Sequence, residues 1–251
     1  MKLDGKVAIV TGSSRGIGAS IARSFAAEGA RLAIVANTRL EGAQAVVGEI
    51  EAAGGEARAF TADLSRIAEC ERLAGGVVDV FGTVDILVNN AGVYIRSPIE
   101  EATEEQWSAQ VDLNLKGTYF MTRAVVPTMK AKRSGKIINI TSTFGLVGAA
   151  DCSIYCITKA GQLNLTKALC LELARHGINV NSLAPGGVKT DMTEAFRAQT
   201  ELKDRVDELT PTGTHFLDPS DVVGAAVFLA SSDSDSVHGA NLVVDGGWTA
   251  W

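Results

Sequence analysis

Residues 6–18 read Lys6-Val7-Ala8-Ile9-Val10-Thr11-Gly12-Ser13-Ser14-Arg15-Gly16-Ile17-Gly18, an apolar run that enters a glycine-rich turn and leaves it as a helix. Val7 to Val10 are apolar at every position, as a strand covered on both faces requires. Ile17–Glu28 continues with helical periodicity. With 26 glycines in 251 residues the glycine spacing alone is a weak signal, so its place between a first strand and a first helix carries the weight. There the N–H groups and dipole of the helix N-terminus face an anion such as a pyrophosphate. Gly12 permits the tight turn, Gly16 the approach of a dinucleotide, and Gly18 close packing of the helix on a sheet.

The same alternation continues along the chain. Strands are predicted at Lys6–Thr11, Arg31–Val35, Glu56–Thr61, Ile86–Asn89, Lys136–Thr141, Asn179–Ala184 and Asn241–Val244. Helices are predicted at Ile17–Glu28, Glu41–Ala53, Ile67–Phe81, Glu104–Ala131, Ile154–His176 and Pro219–Ala230. This order predicts one α/β domain over 1–251, a doubly wound, seven-stranded, mostly parallel sheet with helices on both faces. The longest interruption, 186–218, holds short helical pieces near Thr193–Gln199 and Glu201–Glu208 and reads as a substrate loop or lid.

The composition narrows the function. Against 23 Lys and Arg stand 29 Asp and Glu, a net charge of −6, so there is no basic surplus for nucleic acid or an anionic membrane surface. The apolar run after the charged start is too short for a signal peptide or a membrane span, and a cytoplasmic protein is expected. The four cysteines, at 70, 152, 156 and 170, form no CxxC pair, and with three histidines they show no zinc spacing, so no metal is expected. Cys152 and Cys156 are expected to share a helix face as inert packing.

Two constellations point to chemistry. At the end of the second strand an acid would select a ribose 2′-OH, but the stretch reads Val35-Ala36-Asn37-Thr38-Arg39. Arg15 and Arg39 either flank a 2′-phosphate or lie as solvated surface, so NADP(H) is the preferred cofactor and NAD(H) the other candidate. Asp63 either accepts from an adenine amino group or caps the helix that follows. Ser142 follows the fifth strand, and Tyr155 and Lys159 lie i and i+4 on one helix face. A cation one turn from a phenol favours the phenolate; at about 4 Å and an effective dielectric near 20 it is worth about 4 kcal/mol.

Together with Asn89-Asn90-Ala91-Gly92, Asn114, Pro185-Gly186 and Thr190, these residues make the whole chain resemble the short-chain dehydrogenases/reductases, 3-oxoacyl-carrier-protein reductases among them. The resemblance implies a Rossmann fold and an NAD(P)(H)-dependent oxidoreductase acting on a small-molecule ketone or secondary alcohol. It implies Tyr155 as general acid/base, Ser142 polarising the reacting oxygen, Lys159 on the nicotinamide ribose and Asn114 retaining a water in a proton relay. Cofactor contacts are implied for Gly12, Ser14, Arg15, Gly16, Ile17, Gly18, Asn37, Thr38, Arg39, Asp63, Leu64, Asn90, Ala91, Gly92, Tyr155, Lys159, Pro185, Gly186, Val188 and Thr190, with Asn89 on the adenine side. A dinucleotide-binding scaffold without turnover is the non-enzymatic alternative; it has no need of all four catalytic positions.

Family members pair through the two long helices, so the resemblance implies a homotetramer, with a dimer as the alternative. Two features depart from the family's pattern. Pro211-Thr212-Gly213-Thr214-His215-Phe216 lacks the arginine customary after the lid, and the chain ends Asp245-Gly246-Gly247-Trp248-Thr249-Ala250-Trp251. In family tetramers this tail lies near a two-fold interface, which places Trp251 against a partner subunit or in solvent. Val93, Tyr94, Ile95, Phe144, Leu146 and Val147 predict an apolar substrate pocket with Tyr94 as a polar edge.

Overall fold

Alternating apolar residues in the first strand, β1 (Val7–Val10), face opposite sides of the sheet: Ala8 and Val10 enter one core cluster, Val7 and Ile9 the other. Both sides need cover, and the helices supply it. The computed structural model describes residues 1–38 and 40–250. Arg39 and Trp251, both named above, lie outside the described residues.

In chain order, β1 leads to α1 (Gly16–Ala27), β2 (Arg31–Ala36), α2 (Leu40–Ala52), β3 (Glu56–Thr61), α3 (Ile67–Phe81) and β4 (Ile86–Asn89). The second half runs α4 (Glu104–Gln110), α5 (Thr118–Lys132), β5 (Gly135–Ile140), α6 (Ser153–Leu173) and β6 (Ile178–Pro185). It ends with β7 (Gly187–Val188), α7 (Glu194–Arg197), α8 (Thr200–Glu208), β8 (Phe216–Leu217), α9 (Pro219–Ala230) and β9 (Asn241–Val244). The seven-stranded sheet has the order β3-β2-β1-β4-β5-β6-β9, and every pairing in it is parallel. Residues of α1, α2 and α9 bury one face of it and those of α3, α5 and α6 the other. Chain order reverses between β1 and β4, which opens a crevice at the carboxyl ends of the strands.

The expected long helix Glu104–Ala131 is three pieces. Between α4 and α5 the chain widens into a π-helical turn, Val111–Gly117, around Asn114. Its cause is a set of competing hydrogen bonds: the Asn114 carbonyl accepts from Gln162 Nε2 at 2.7 Å and from Thr118 Oγ1 at 2.7 Å. The helix expected to reach His176 closes at Leu173 and tightens into a single 3₁₀ turn. The interruption at 186–218 contains α7 and α8, and its two ends pair as β7 and β8, Gly187 with Phe216 and Val188 with Leu217.

Phe25 is fully buried in the cluster under α1. Phe25→Ala should lower unfolding stability by about 3–5 kcal/mol. Val80→Ala, at a half-exposed position on α3, should change it by less than about 0.5 kcal/mol. Urea denaturation of both variants checks the contrast.

Candidate active site

Thr11 and Asn90 hold the crevice open where β1 and β4 diverge. Thr11 Oγ1 accepts from the main-chain N–H groups of Asn90 (2.9 Å) and Ala91 (3.0 Å) and donates to Val88 O. Asn90 Nδ2 returns to Thr11 O at 2.8 Å and Gly12 O at 3.1 Å. Ser13 ties the turn to β2, its hydroxyl donating to Val10 O and accepting from Val35 N. These bonds bring backbone so close that side chains are excluded. A Cβ on Gly12 would stand 2.9 Å from Ala91 Cα, and one on Gly18 would stand 2.5 Å from Asn90 Nδ2. Gly18 therefore packs its helix against the neighbouring loop as well as the first turn. Helix α1 begins at Gly16 without a side-chain cap and without an acid in its first turn, the terminus that an anionic phosphate suits.

A cleft of roughly 580 Å³ extends from this turn across the crevice. Gly12, Ser14, Arg15, Gly16, Ile17, Asn37, Leu64, Asn90, Ala91 and Gly92 line one half. Ser142, Tyr155, Lys159, Pro185, Gly186, Val188 and Thr190 line the other. Shape, polarity and the uncapped helix fit an extended dinucleotide. Four expected contacts lie elsewhere. Gly18 sits behind the turn, and Thr38 is exposed beyond the cleft wall. Asp63 accepts from Ser65 N at 3.1 Å and Ser65 Oγ at 2.6 Å, so its carboxylate shapes the turn before α3. Asn89 is buried in the sheet, donating to Asn139 Oδ1 and Thr122 Oγ1.

The other half of the cleft is built by β5 and α6. Ser142 follows β5; its Oγ accepts from Phe144 N at 3.1 Å, leaving the hydroxyl proton for the phenol oxygen of Tyr155. Burial pushes the Tyr155 phenol above its ordinary range, and the Ser142 hydrogen bond only partly opposes it. Lys159 lies one turn on, with Nζ 5.5 Å from the Tyr155 ring centroid. The expected dominance of its charge over the phenol is not what the geometry gives. Its ammonium donates to Ile140 O at 2.9 Å and Gln162 Oε1 at 2.9 Å, while burial draws its own pKa down to about 7.

Asn114 is fully buried, with both protons of its amide nitrogen bonded. Its side chain accepts from Val93 N at 2.8 Å and donates to Val93 O at 2.9 Å and Thr158 Oγ1 at 3.2 Å. It thereby clamps the loop after β4 that carries Val93 and Tyr94, and its amide oxygen, with one bond accepted, keeps a lone pair for a further donor. Cys152 precedes α6 rather than sharing its face with Cys156, and its Sγ lies 3.0 Å from Tyr94 OH.

An aromatic wall closes one side of the cleft: to the expected Tyr94 and Phe144 it adds Trp248 and His215, whereas Ile95 and the exposed Leu146 and Val147 do not line it. Trp248 packs edge-on against Phe144 at 5.9 Å and against His215 at 5.2 Å, and Tyr94 meets the Tyr155 ring at 4.9 Å. The Asp245 carboxylate accepts from Gly247 N, Thr249 N and Thr249 Oγ1, turning the chain so that Trp248 enters the cleft. The signal was the Asp-Gly-Gly-Trp order in the tail. Among the described residues no cluster of three metal-ligating side chains occurs, and no helix is long and apolar enough to cross a membrane.

A family model described as enoyl-(acyl carrier protein) reductase matches residues 12–249. The chain is 40% identical over 257 residues to galactitol 2-dehydrogenase of Agrobacterium fabrum, covering 98% of both chains. It is 40% identical over 242 residues to a 3-oxoacyl-(acyl-carrier-protein) reductase of Staphylococcus epidermidis, covering 96% of this chain and 98% of that one. The crystal structure of a gluconate 5-dehydrogenase from Burkholderia cenocepacia, in complex with NADP and tartrate, superposes with a TM-score of 0.96 at 36% identity, covering 100% of this chain and 97% of that one. With its parallel sheet and its strand–glycine turn–helix, the chain belongs to the short-chain dehydrogenase/reductase family of oxidoreductases, which act on alcohol and carbonyl groups.

Proposed function

We propose that this chain interconverts a ketone and a secondary alcohol at the cleft, with Tyr155 as the general acid/base. The observation that carries the reading is the meeting of Ser142, Tyr155 and Lys159 in the same cleft as the uncapped glycine turn. A bound nicotinamide dinucleotide supplies or receives the hydride. In the reducing direction Tyr155 donates its phenolic proton to the carbonyl oxygen, whose π electrons become the new O–H bond pair. The phenolate left behind is held by the Ser142 hydroxyl and the nearby Lys159 charge. Burial keeps Tyr155 protonated at neutral pH, which prepares it as an acid. Asn114 acts through the backbone, fixing Val93 and Tyr94 beside the phenol.

NADP(H) is the cofactor this reading favours. Ala36 ends β2 without an acid, Arg15 and Asn37 line that end of the cleft, and the Burkholderia relative holds NADP. Arg15 is paired with Asp191 at 2.8 Å, both half exposed or more, and such a pair is worth about 1 kcal/mol or less. A phosphate can therefore replace it at little cost. The apolar and aromatic wall of Tyr94, Phe144, Phe196 and Trp248 favours a ketone bearing a ring or hydrocarbon group. A 3-oxoacyl thioester fits the same chemistry with no feature here that singles it out. Four unpaired cysteines accord with a reducing cytoplasm.

Exposed apolar residues on the helices outside the cleft support assembly. Trp107 on α4, Tyr119 on α5, and Ile157 and Leu171 on α6 all face solvent, Leu171 at 83% exposure. Val125, Leu169 and Leu173, on the same helices, are committed to the core. A homotetramer covers the exposed set, and a dimer is the alternative.

Tyr155→Phe should retain cofactor binding and fold while turnover falls about a thousandfold. Turnover within tenfold of the wild type in a folded variant would sink the assignment. Carbonyl reduction should decline as pH rises through phenol ionisation, and alcohol oxidation should gain over the same range, since the two directions need opposite protonation states. Initial rates in both directions across pH check the sign. Ala36→Asp should lower the NADPH/NADH ratio of kcat/KM by about tenfold or more; a wild type preferring NADH tenfold defeats the NADP(H) reading. Light scattering should give roughly 105 kDa for four chains of 26.2 kDa, against which a fully active single chain would stand as refutation.

A further inference from the structure

Lys159 is 4% exposed, and among the described residues it has no salt-bridge partner. A buried ammonium without a counter-ion needs neutral acceptors held where it cannot leave them. Ile140 O is one, fixed by β5. The other is Gln162 Oε1, three residues along α6 and itself fully buried.

The orientation of that amide is forced. Gln162 Nε2 donates to Asn114 O at 2.7 Å and to Thr118 Oγ1 at 2.7 Å. Asn114 O can only accept and the Lys159 ammonium can only donate, so a flipped amide would set donor against donor and acceptor against acceptor. Thr118 Oγ1 already spends its proton on Asn114 O, which leaves it an acceptor for Gln162. The π-turn therefore reads out through Gln162 to the ammonium beside Tyr155. We propose that Gln162 is the positioning residue that holds the Lys159 ammonium charged and in place, using the π-turn at Asn114 as its anchor.

The surroundings make this acceptor matter. On its own helix Lys159 faces Tyr155, whose ring in turn meets Tyr94 and whose phenol lies near Cys152 and Cys156. From β5 and the turn after it come the Ile140 carbonyl and the Ser142 hydroxyl. The charged residues of the π-turn, Asp112 and Lys116, pair with each other at 2.7 Å on the surface. Burial alone draws the Lys159 pKa down, so losing an acceptor has no nearby carboxylate to offset it. The catalytic consequence rests on the reading of Tyr155 and Lys159 given above, whereas the titration of Lys159 does not.

The test is a 15N NMR titration of the Lys159 Nζ in the full chain without cofactor, assigned by its disappearance in Lys159→Met. In the wild type, the Gln162 side-chain amide should shift with the same midpoint as Lys159. Gln162→Leu should lower that midpoint by about one pH unit, a tenfold change in the ionisation constant, and Gln162→Met should do the same if the leucine variant fails to fold. Thr166→Val removes a neighbouring buried hydroxyl that bonds the Gln162 main chain and Asn139, and should lower Tm without moving the Lys159 midpoint. With a substrate in hand, the limb of kcat/KM assigned to Lys159 should move in step with the NMR midpoint. A Gln162 amide that ignores the titration overturns the proposal. So does a folded Gln162 variant whose midpoint stays within about 0.2 unit of the wild type, or an equal displacement in Thr166→Val. An absence of turnover in the wild type would defeat only the functional reading.

Discussion

A positive charge buried without a negative one governs the centre of this molecule. Desolvating an ammonium costs several kcal/mol, and Lys159 recovers it from hydrogen bonds to the Ile140 carbonyl and the Gln162 amide and from the face of the Tyr155 ring. Both acceptors must themselves be immobile. Ile140 is immobile because it ends a central parallel strand, and Gln162 because its nitrogen is committed to Asn114 O and Thr118 Oγ1. The π-turn, the end of β5 and helix α6 are thus adjusted to one another through a single cation.

From that point the buried polar network spreads without a gap. Thr166 Oγ1 donates to Gln162 O and accepts from Asn139 Nδ2, while Asn139 Oδ1 accepts from Asn89, which also donates to Thr122. The chain of bonds crosses α6, β5, β4 and α5. Among the described residues no fully buried side-chain nitrogen or oxygen is left without a partner. Such networks are costly when incomplete and specific when complete, so the register of helices on the sheet is fixed by polar matching as well as by apolar packing.

What was legible in the sequence was what depends on neighbours along the chain. The run Val7 to Gly18 displayed strand, turn and helix because apolar alternation and glycine placement are local, and Tyr155 and Lys159 displayed a shared face because four residues make about one turn. The break at Asn114 was visible only as a poor helix former; its π geometry needs Gln162, 48 residues away. Asn89 and Asn90 are adjacent and chemically alike, yet one faces the sheet interior and the other the cleft, a choice made by strand register. Arg15 reads in the sequence as a phosphate contact or as solvated surface, while its partner in the chain, Asp191, lies 176 residues away at the start of the 186–218 segment. Trp248 enters the site only because Asp245 folds the tail back on itself.

The 186–218 segment and the tail explain how one cleft combines two unlike halves. Thr193 Oγ1 donates to Val188 O and accepts from Thr190 N, so the segment leaving β6 is capped before it crosses the cleft. Where it returns, His215 N donates to the Asp207 carboxylate and the His215 ring stands against Trp248. A Cβ on Gly246 would strike Thr212 Oγ1 at 2.5 Å, so the 186–218 segment and the tail meet closely where the family's customary arginine is absent. The 186–218 segment is thereby joined to the glycine turn by the exposed Arg15–Asp191 pair at one end and to Trp248 by packed aromatic rings at the other. The first contact is weak and screened by salt, the second an edge-on packing of rings that salt does not screen. An anion can therefore replace Asp191 at the polar end without disturbing the aromatic surface at the other.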